Sequence, residues 1–287
     1  VADSDWSDEG LLGALAGQVL PVMQKKDDAP RMWIIDDTGS PKTGRHSVGV
    51  ARQYCGQLGK QDNCQVAVSL SVAHRQASFP VAYQLYLPKS WAEDQPRRRE
   101  AGIPEEVVFR TKPEMALEQI RWAVEQKLPC GIVLADAAYG SDTAFREGIS
   151  TLPLRYVVGV RETTTVWSPG QAPLPPRRRP GRGRPPTLRR RDQGHPPVSL
   201  AELAKSLPVS AFRQVRWREG TGGVLRSRFA AVRVRPAHRD HLRRQWRSEE
   251  WLLIEWPEAS PEPLQYWLSP LPASTSLGRL VDCAHLR

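Results

Sequence analysis

Met32-Trp33-Ile34-Ile35-Asp36-Asp37-Thr38-Gly39 and Gly131-Ile132-Val133-Leu134-Ala135-Asp136-Ala137-Ala138-Tyr139-Gly140 decide how this chain is read. Each is a short apolar run closed by turn residues, the pattern of a buried strand. Each run ends on an aspartate. Carboxylates at the ends of two buried strands can converge at one edge of a sheet, and hard oxygen donors of this kind suit a divalent cation. Two such cations about 3.5–4 Å apart can activate a water and stabilise a leaving oxygen in phosphodiester chemistry. Asp36 and Asp136 are therefore the candidate catalytic and metal-binding residues. The competing reading of each is a turn former at a strand end.

The surrounding pattern is mixed α/β. Leu11, Leu12, Leu15, Val19, Leu20 and Met23 fall at helical spacing, so residues 1–30 are expected to hold a lead-in helix. Strands are expected over 47–55, 66–72 and 81–87. A helix is expected over 113–126, with Pro113 at its start where a missing N–H costs nothing. The strand ending at Asp136, a short helix near 142–149 and a strand over 154–160 follow. This order fits an α/β fold with an RNase H-like mixed sheet core, whose first part is 31–161; the strand order itself is an analogy.

After Val160 the composition changes. Residues 161–247 carry a net charge of +16, and the rest of the 287-residue chain carries −6. Asymmetry of this kind implies a polyanion partner, because neutralised phosphates release counterions. Residues 168–197 are rich in Pro, Arg and Gly without apolar period and are expected to be disordered. Strand patterns return over 211–268. Residues 162–268 thus read as a basic, β-rich insertion, and 269–287 as a return to the core in a helix capped by Ser276. The chain opens on Val rather than Met, as a fragment or processed product would, and the acidic start is not a signal peptide. No apolar run approaches a membrane span. Four cysteines in no zinc or redox spacing are expected to be reduced and mostly buried, and the six histidines show no ligand spacing.

Three stretches resemble the insertion sequence 701 group of bacterial DDE transposases. The first runs from Asp36-Asp37-Thr38-Gly39-Ser40-Pro41-Lys42-Thr43-Gly44 through Ser47–Tyr54 and Asn63–Val66. The second is Leu85-Tyr86-Leu87-Pro88-Lys89-Ser90-Trp91 with Arg97-Arg98-Arg99, Ala101-Gly102-Ile103-Pro104 and Thr111-Lys112-Pro113. The third is Ala135-Asp136-Ala137-Ala138-Tyr139-Gly140. Trp251–Pro257 and Tyr266–Pro272 are also similar to that group. The resemblance implies an RNase H-like core with a β-rich insertion, two aspartates and a glutamate holding two Mg2+ (or Mn2+), and cleavage of transposon ends followed by strand transfer. It maps the aspartates onto Asp36 and Asp136, with Asp37, Thr38 and Tyr139 as supporting neighbours. The glutamate would fall about four residues beyond Arg287, so residues 1–287 are expected to hold two of three acids and to be weak or inactive alone. Asp282, roughly 13 Å away along a helix, is too distant to replace it.

The expected partner is double-stranded DNA, bound by a homodimer in the cytoplasm, associated with the nucleoid. Lys42, Arg45, Arg52 and Lys60 follow the first acid and are candidates for phosphate contacts. Gly181-Arg182-Gly183-Arg184-Pro185 resembles an AT-hook core, in which Arg182 and Arg184 would enter an A·T minor groove; a solvated loop is the alternative. Trp217, Trp246, Trp251, Trp256 and Trp267 fit sheet core better than base stacking. Two other readings stand beside the transposase: a non-catalytic DNA-binding remnant, and an unrelated metal-dependent phosphohydrolase.

Overall fold

The computed structural model describes residues 8–26, 31–74, 77–176, 187–220 and 223–286. The segment 181–185, with Arg182 and Arg184, lies outside them. The chain divides into two compact units, one of residues 1–135 and 147–154, the other of 136–146 and 155–287. Both are built on sheets with helices alongside, and antiparallel pairs predominate.

In the first unit, α1 (Asp8–Lys26) leads to β1 (Met32–Pro41), β2 (Ala51–Cys55), β3 (Lys60–His74) and β4 (Ala77–Leu85). Strand β3 is the spine. It pairs antiparallel with all of β1 on one edge. On the other, its first half pairs with β2 and its second half with β4. Its length exceeds the expected 66–72 because the alternation of apolar residues begins only where the sheet covers both faces; Lys60–Asn63 are exposed or half-buried hairpin residues.

Short helices α2 (Lys89–Ala92) and α3 (Gln95–Glu100) follow. Their tie to the sheet is Trp91, buried with Val50 and Leu87, whose Nε1 donates to the Val50 carbonyl at 2.7 Å. Arg98 is also buried and donates to the carbonyls of Ala92 and Pro104. The Arg97-Arg98-Arg99 run therefore owes one member to backbone capping rather than to a charged surface.

Helix α4 (Lys112–Glu125) begins with a capping box: Thr111 accepts from the Glu114 N–H, and the Glu114 carboxylate accepts from the Thr111 N–H. It buries Met115, Ala116, Gln119, Ile120 and Ala123 and packs on β3, where Gln119 Nε2 donates to the Val68 carbonyl at 2.9 Å. β5 (Ile132–Ala135) then pairs parallel with β1, Met32 opposite Ile132 and Ile34 opposite Leu134.

The second unit begins with α5 (Ala137–Gly140), a four-residue turn. Helix α6 (Thr143–Ser150) follows and ends in the first unit. Then come β6 (Arg155–Val160), β7 (Thr165–Trp167), β8 (Val198–Ser199), α7 (Leu200–Ser206), β9 (Arg213–Gly220), β10 (Gly223–Pro236), β11 (Glu250–Glu255), β12 (Gln265–Ser269) and α8 (Leu277–Ala284). The ladder runs β6-β12-β11-β10-β7-β8, with β9 also on β10, and every pair is antiparallel. Within 168–197, the described flanks are tied down. Leu174 and Arg190 exchange backbone hydrogen bonds, and Arg191 reaches the buried Asp240, which also accepts from Trp167 Nε1 at 2.5 Å. Ser276 caps α8, accepting from the Arg279 N–H. Among the tryptophans of 217–267, Trp267 is core, while Trp246 is exposed beneath Arg189 and Arg235. Cys55, Cys64 and Cys283 are buried and Cys130 is exposed, all as free thiols.

Glu250 on β11 is buried and accepts from the Tyr156 hydroxyl at 2.9 Å. Burial raises its carboxyl above the ordinary 4.5, against the opposing pull of Arg146, Tyr156, Arg247 and Arg233. A raised folded-state value means the stability it supports is complete below about 4.5 and declines as pH rises through the folded value. Glu250→Gln keeps an acceptor for Tyr156 and removes the charge. Its melting temperature should gain on the wild type as pH rises above about 4.5. The opposite trend would mean that the arginines outweigh burial.

Candidate active site

Asp36 and Asp37 are adjacent on β1, so the two-residue period of a strand sends them to opposite faces. On the Asp37 side lie Trp33, Ile35 and the α4 helix. Lys112, the first residue of α4, meets Asp37 Oδ2 through Nζ at 2.5 Å and also lies over the Tyr86 ring at 5.5 Å. Asp37 is therefore committed to an ion pair that joins helix to sheet. Asp36 lies on the other side with Ile34. It is half-buried, its Oδ1 accepts from the Asp37 N–H at 2.8 Å, and its carbonyl accepts from Ser69 Oγ at 3.3 Å. That face of the neighbouring β3 carries the small side chains of Ala67, Ser69 and Ser71.

Asp136 directly follows β5 and caps α5. Its Oδ1 accepts from the Ala138 N–H at 2.9 Å, and its carbonyl accepts from Gly140 N at 2.8 Å. Two glycines allow this tight turn to sit on β6. A Cβ on Gly140 would lie 2.0 Å from the Gly159 carbonyl, and one on Gly159 would lie 3.0 Å from Ala137 N. Tyr139 is buried, its ring 5.9 Å from Phe145, so it acts through packing in its own unit; Thr38 is exposed.

The four basic candidates of the first unit gather at one end of its sheet. Lys42 follows β1, Arg45 lies in the connection to β2, Arg52 is on β2 opposite Asn63, and Lys60 opens β3. Arg45 and Arg52 are exposed. Asn63 fixes this connection by donating to the Lys42 and Gly44 carbonyls, and Arg97 Nη2 donates to the Arg45 carbonyl at 2.6 Å. Lys60 pairs with Asp62 at 3.1 Å, an exposed bridge that a phosphate can displace at little cost. Asp36 stands five residues before Pro41, roughly 17 Å along the strand.

Glu255 on β11 is buried with His285, its Oε2 3.6 Å from Nε2. Burial raises the Glu255 carboxyl and lowers the His285 imidazole. Among the described residues, no group of three or more His, Cys, Asp or Glu side chains is arranged to hold a metal ion, and no helix is long and apolar enough to cross a membrane. Lys112 stands within the Thr111-Lys112-Pro113 stretch of the sequence resemblance without a role assigned to it there, and no sequence pattern singled out Gly159. A lysine at the first position of a helix, where the helix dipole disfavours it, was the available signal for the first; close backbone approach in space left none for the second.

The profile of the DDE superfamily endonuclease family matches residues 1–224, and the chain belongs to that family. The chain is similar to the probable transposase for insertion sequence element IS701 of Microchaete diplosiphon, 34% identical over 159 residues. That alignment covers 55% of this chain and 38% of the relative, so the matched span is little more than a third of that protein's length.

Gly140→Ala should cost about 1–3 kcal/mol or more by overpacking against the Gly159 carbonyl. Urea unfolding measures it, and a variant as stable as the wild type would show that α5 does not seat this closely on β6.

Proposed function

We propose that this chain is the catalytic core of an insertion-sequence transposase of RNase H-like fold, which binds double-stranded DNA as a homodimer and performs metal-dependent strand cleavage and transfer. The observation that carries the reading is the parallel register of β1 and β5. Ile34 stands opposite Leu134. Asp36 lies two residues beyond Ile34, on the same face of β1, and Asp136 directly follows β5. Asp37 points to the other face and is neutralised by Lys112.

Asp36 and Asp136 would hold the cation. Carboxylate oxygens are the donors that Mg2+ and Mn2+ favour. Each carboxylate is oriented by one backbone N–H, from Asp37 and from Ala138, before any cation arrives. A bound divalent cation would supply activation of a water or 3′-hydroxyl and stabilisation of the leaving oxygen. Lys42, Arg45, Arg52 and Lys60 would hold the DNA backbone at the far end of β1, and Arg182 and Arg184 would add contacts in the minor groove. The second reading, a chain that binds DNA without cutting it, is favoured by the lack of a third clustered acid among the described residues.

The test is Mn2+ binding followed by calorimetry or by the paramagnetic signal of the free ion. Asp36→Asn and Asp136→Asn should each weaken binding by about tenfold or more, while Asp37→Asn should retain it. Nicking of a labelled transposon-end duplex should be abolished by the first two variants wherever the parent protein cuts. Loss of Mn2+ binding in Asp37→Asn with retention in Asp36→Asn would overturn the assignment.

A further inference from the structure

Among the described arginines of the second unit, two groups stand out. One group is used internally. Arg191 reaches the buried Asp240, and Arg190 pairs with Asp192. Arg235 meets Glu249 at 3.4 Å and lies over Trp246, which Arg189 also covers, and Arg233 lies over Trp251 at 5.1 Å. These side chains are engaged by neighbouring acids and indoles of the same unit.

The β9–β10 hairpin holds the other group. Its register sets Arg226 directly opposite Arg216, with Arg228 opposite Gln214 on the same face. Arg216 and Arg226 are exposed. Among the described residues, no hydrogen bond, ion pair or ring contact engages either guanidinium. Like charges directly opposed across an antiparallel pair are destabilising, so the fold gains nothing from this placement. The opposite face of β10 buries Ser227 and Phe229. Phe229 meets the Trp217 ring at 5.3 Å and the His285 ring at 5.6 Å, and α8 packs against both strands. The hairpin is thus anchored through its aromatic face and presents the basic one.

We propose that the face of the β9–β10 hairpin carrying Arg216 and Arg226 is a docking surface for the phosphate backbone of double-stranded DNA. The inference rests on the transposase reading for its partner and adds a contact site to it. Charge complementarity selects the occupant. Two guanidinium groups opposed on a two-stranded ribbon form a dense cationic pair, guanidinium forks match phosphate oxygens, and a ribbon of this width fits a DNA groove. Binding phosphate also removes the Arg216–Arg226 repulsion, so the ligand relieves a cost that the free protein carries.

The experiment is fluorescence anisotropy of a labelled duplex with residues 1–287 over a series of KCl concentrations. Arg216→Gln with Arg226→Gln should weaken binding equally for unrelated duplex sequences. The slope of log K against log salt should become shallower by about 2, one unit for each phosphate that the variant no longer neutralises. Its melting temperature should equal or exceed that of the wild type, and Arg216→Lys with Arg226→Lys should keep the wild-type slope. If the wild type binds DNA with a steep slope that the Gln variant leaves unchanged, the hairpin inference falls and the DNA-binding reading stands. If the wild type shows no salt-dependent DNA binding, both fall. Binding to vesicles of anionic phospholipid without binding to duplex would overturn the choice of partner.

Discussion

Successive side chains of a strand face opposite ways, and at β1 this constraint gives two adjacent aspartates different work. Asp37 looks toward α4, where an unpaired half-buried carboxylate would be costly, and Lys112 meets it. A lysine at the first position of a helix opposes the helix dipole; here the ion pair offsets that cost and fixes where α4 begins. Gln119, two turns further on, bonds the Val68 carbonyl and fixes how the same helix lies on β3. With Asp37 satisfied, the other face of β1 is left with one carboxylate, over a neighbouring strand of alanine and serine.

Asp136 depends on a different constraint. The backbone turns directly out of β5 into α5, and the turn lies so close to β6 that a Cβ at position 140 would clash with the Gly159 carbonyl and one at 159 would press on Ala137 N. The carboxylate itself caps the turn it begins. Removing it therefore removes an N-cap as well as a candidate ligand, which is why an amide, able to cap in the same way, is the informative replacement.

The basic composition of the second unit divides according to packing. Arginines beside Asp192, Asp240, Glu249 and the indoles of Trp246 and Trp251 act as joints. A net charge of +16 over 161–247 counts them equally with Arg216 and Arg226, which are exposed on the β9–β10 hairpin.

Much of the fold was legible from local pattern. The α4 helix, β5, β6 and α8 begin close to where apolar period, Pro113 and Ser276 place them, and β9 to β12 lie in the strand-patterned stretch 211–268, β12 ending one residue past it, because each is decided by its own residues and immediate neighbours. Helices α2, α3 and α7 were not legible; they are short, and α2 and α3 are held by single long-range contacts such as Trp91 to Val50. For the candidate site, the sequence by itself determined the two strand-end aspartates and their resemblance to a family to which the chain belongs. Which of Asp36 and Asp37 meets Lys112, which arginines are engaged by acids and indoles, and how closely positions 140 and 159 approach each other's backbone were decided only by tertiary structure. Each depends on atoms far apart in sequence coming within a few ångströms, and periodicity carries no record of such distances.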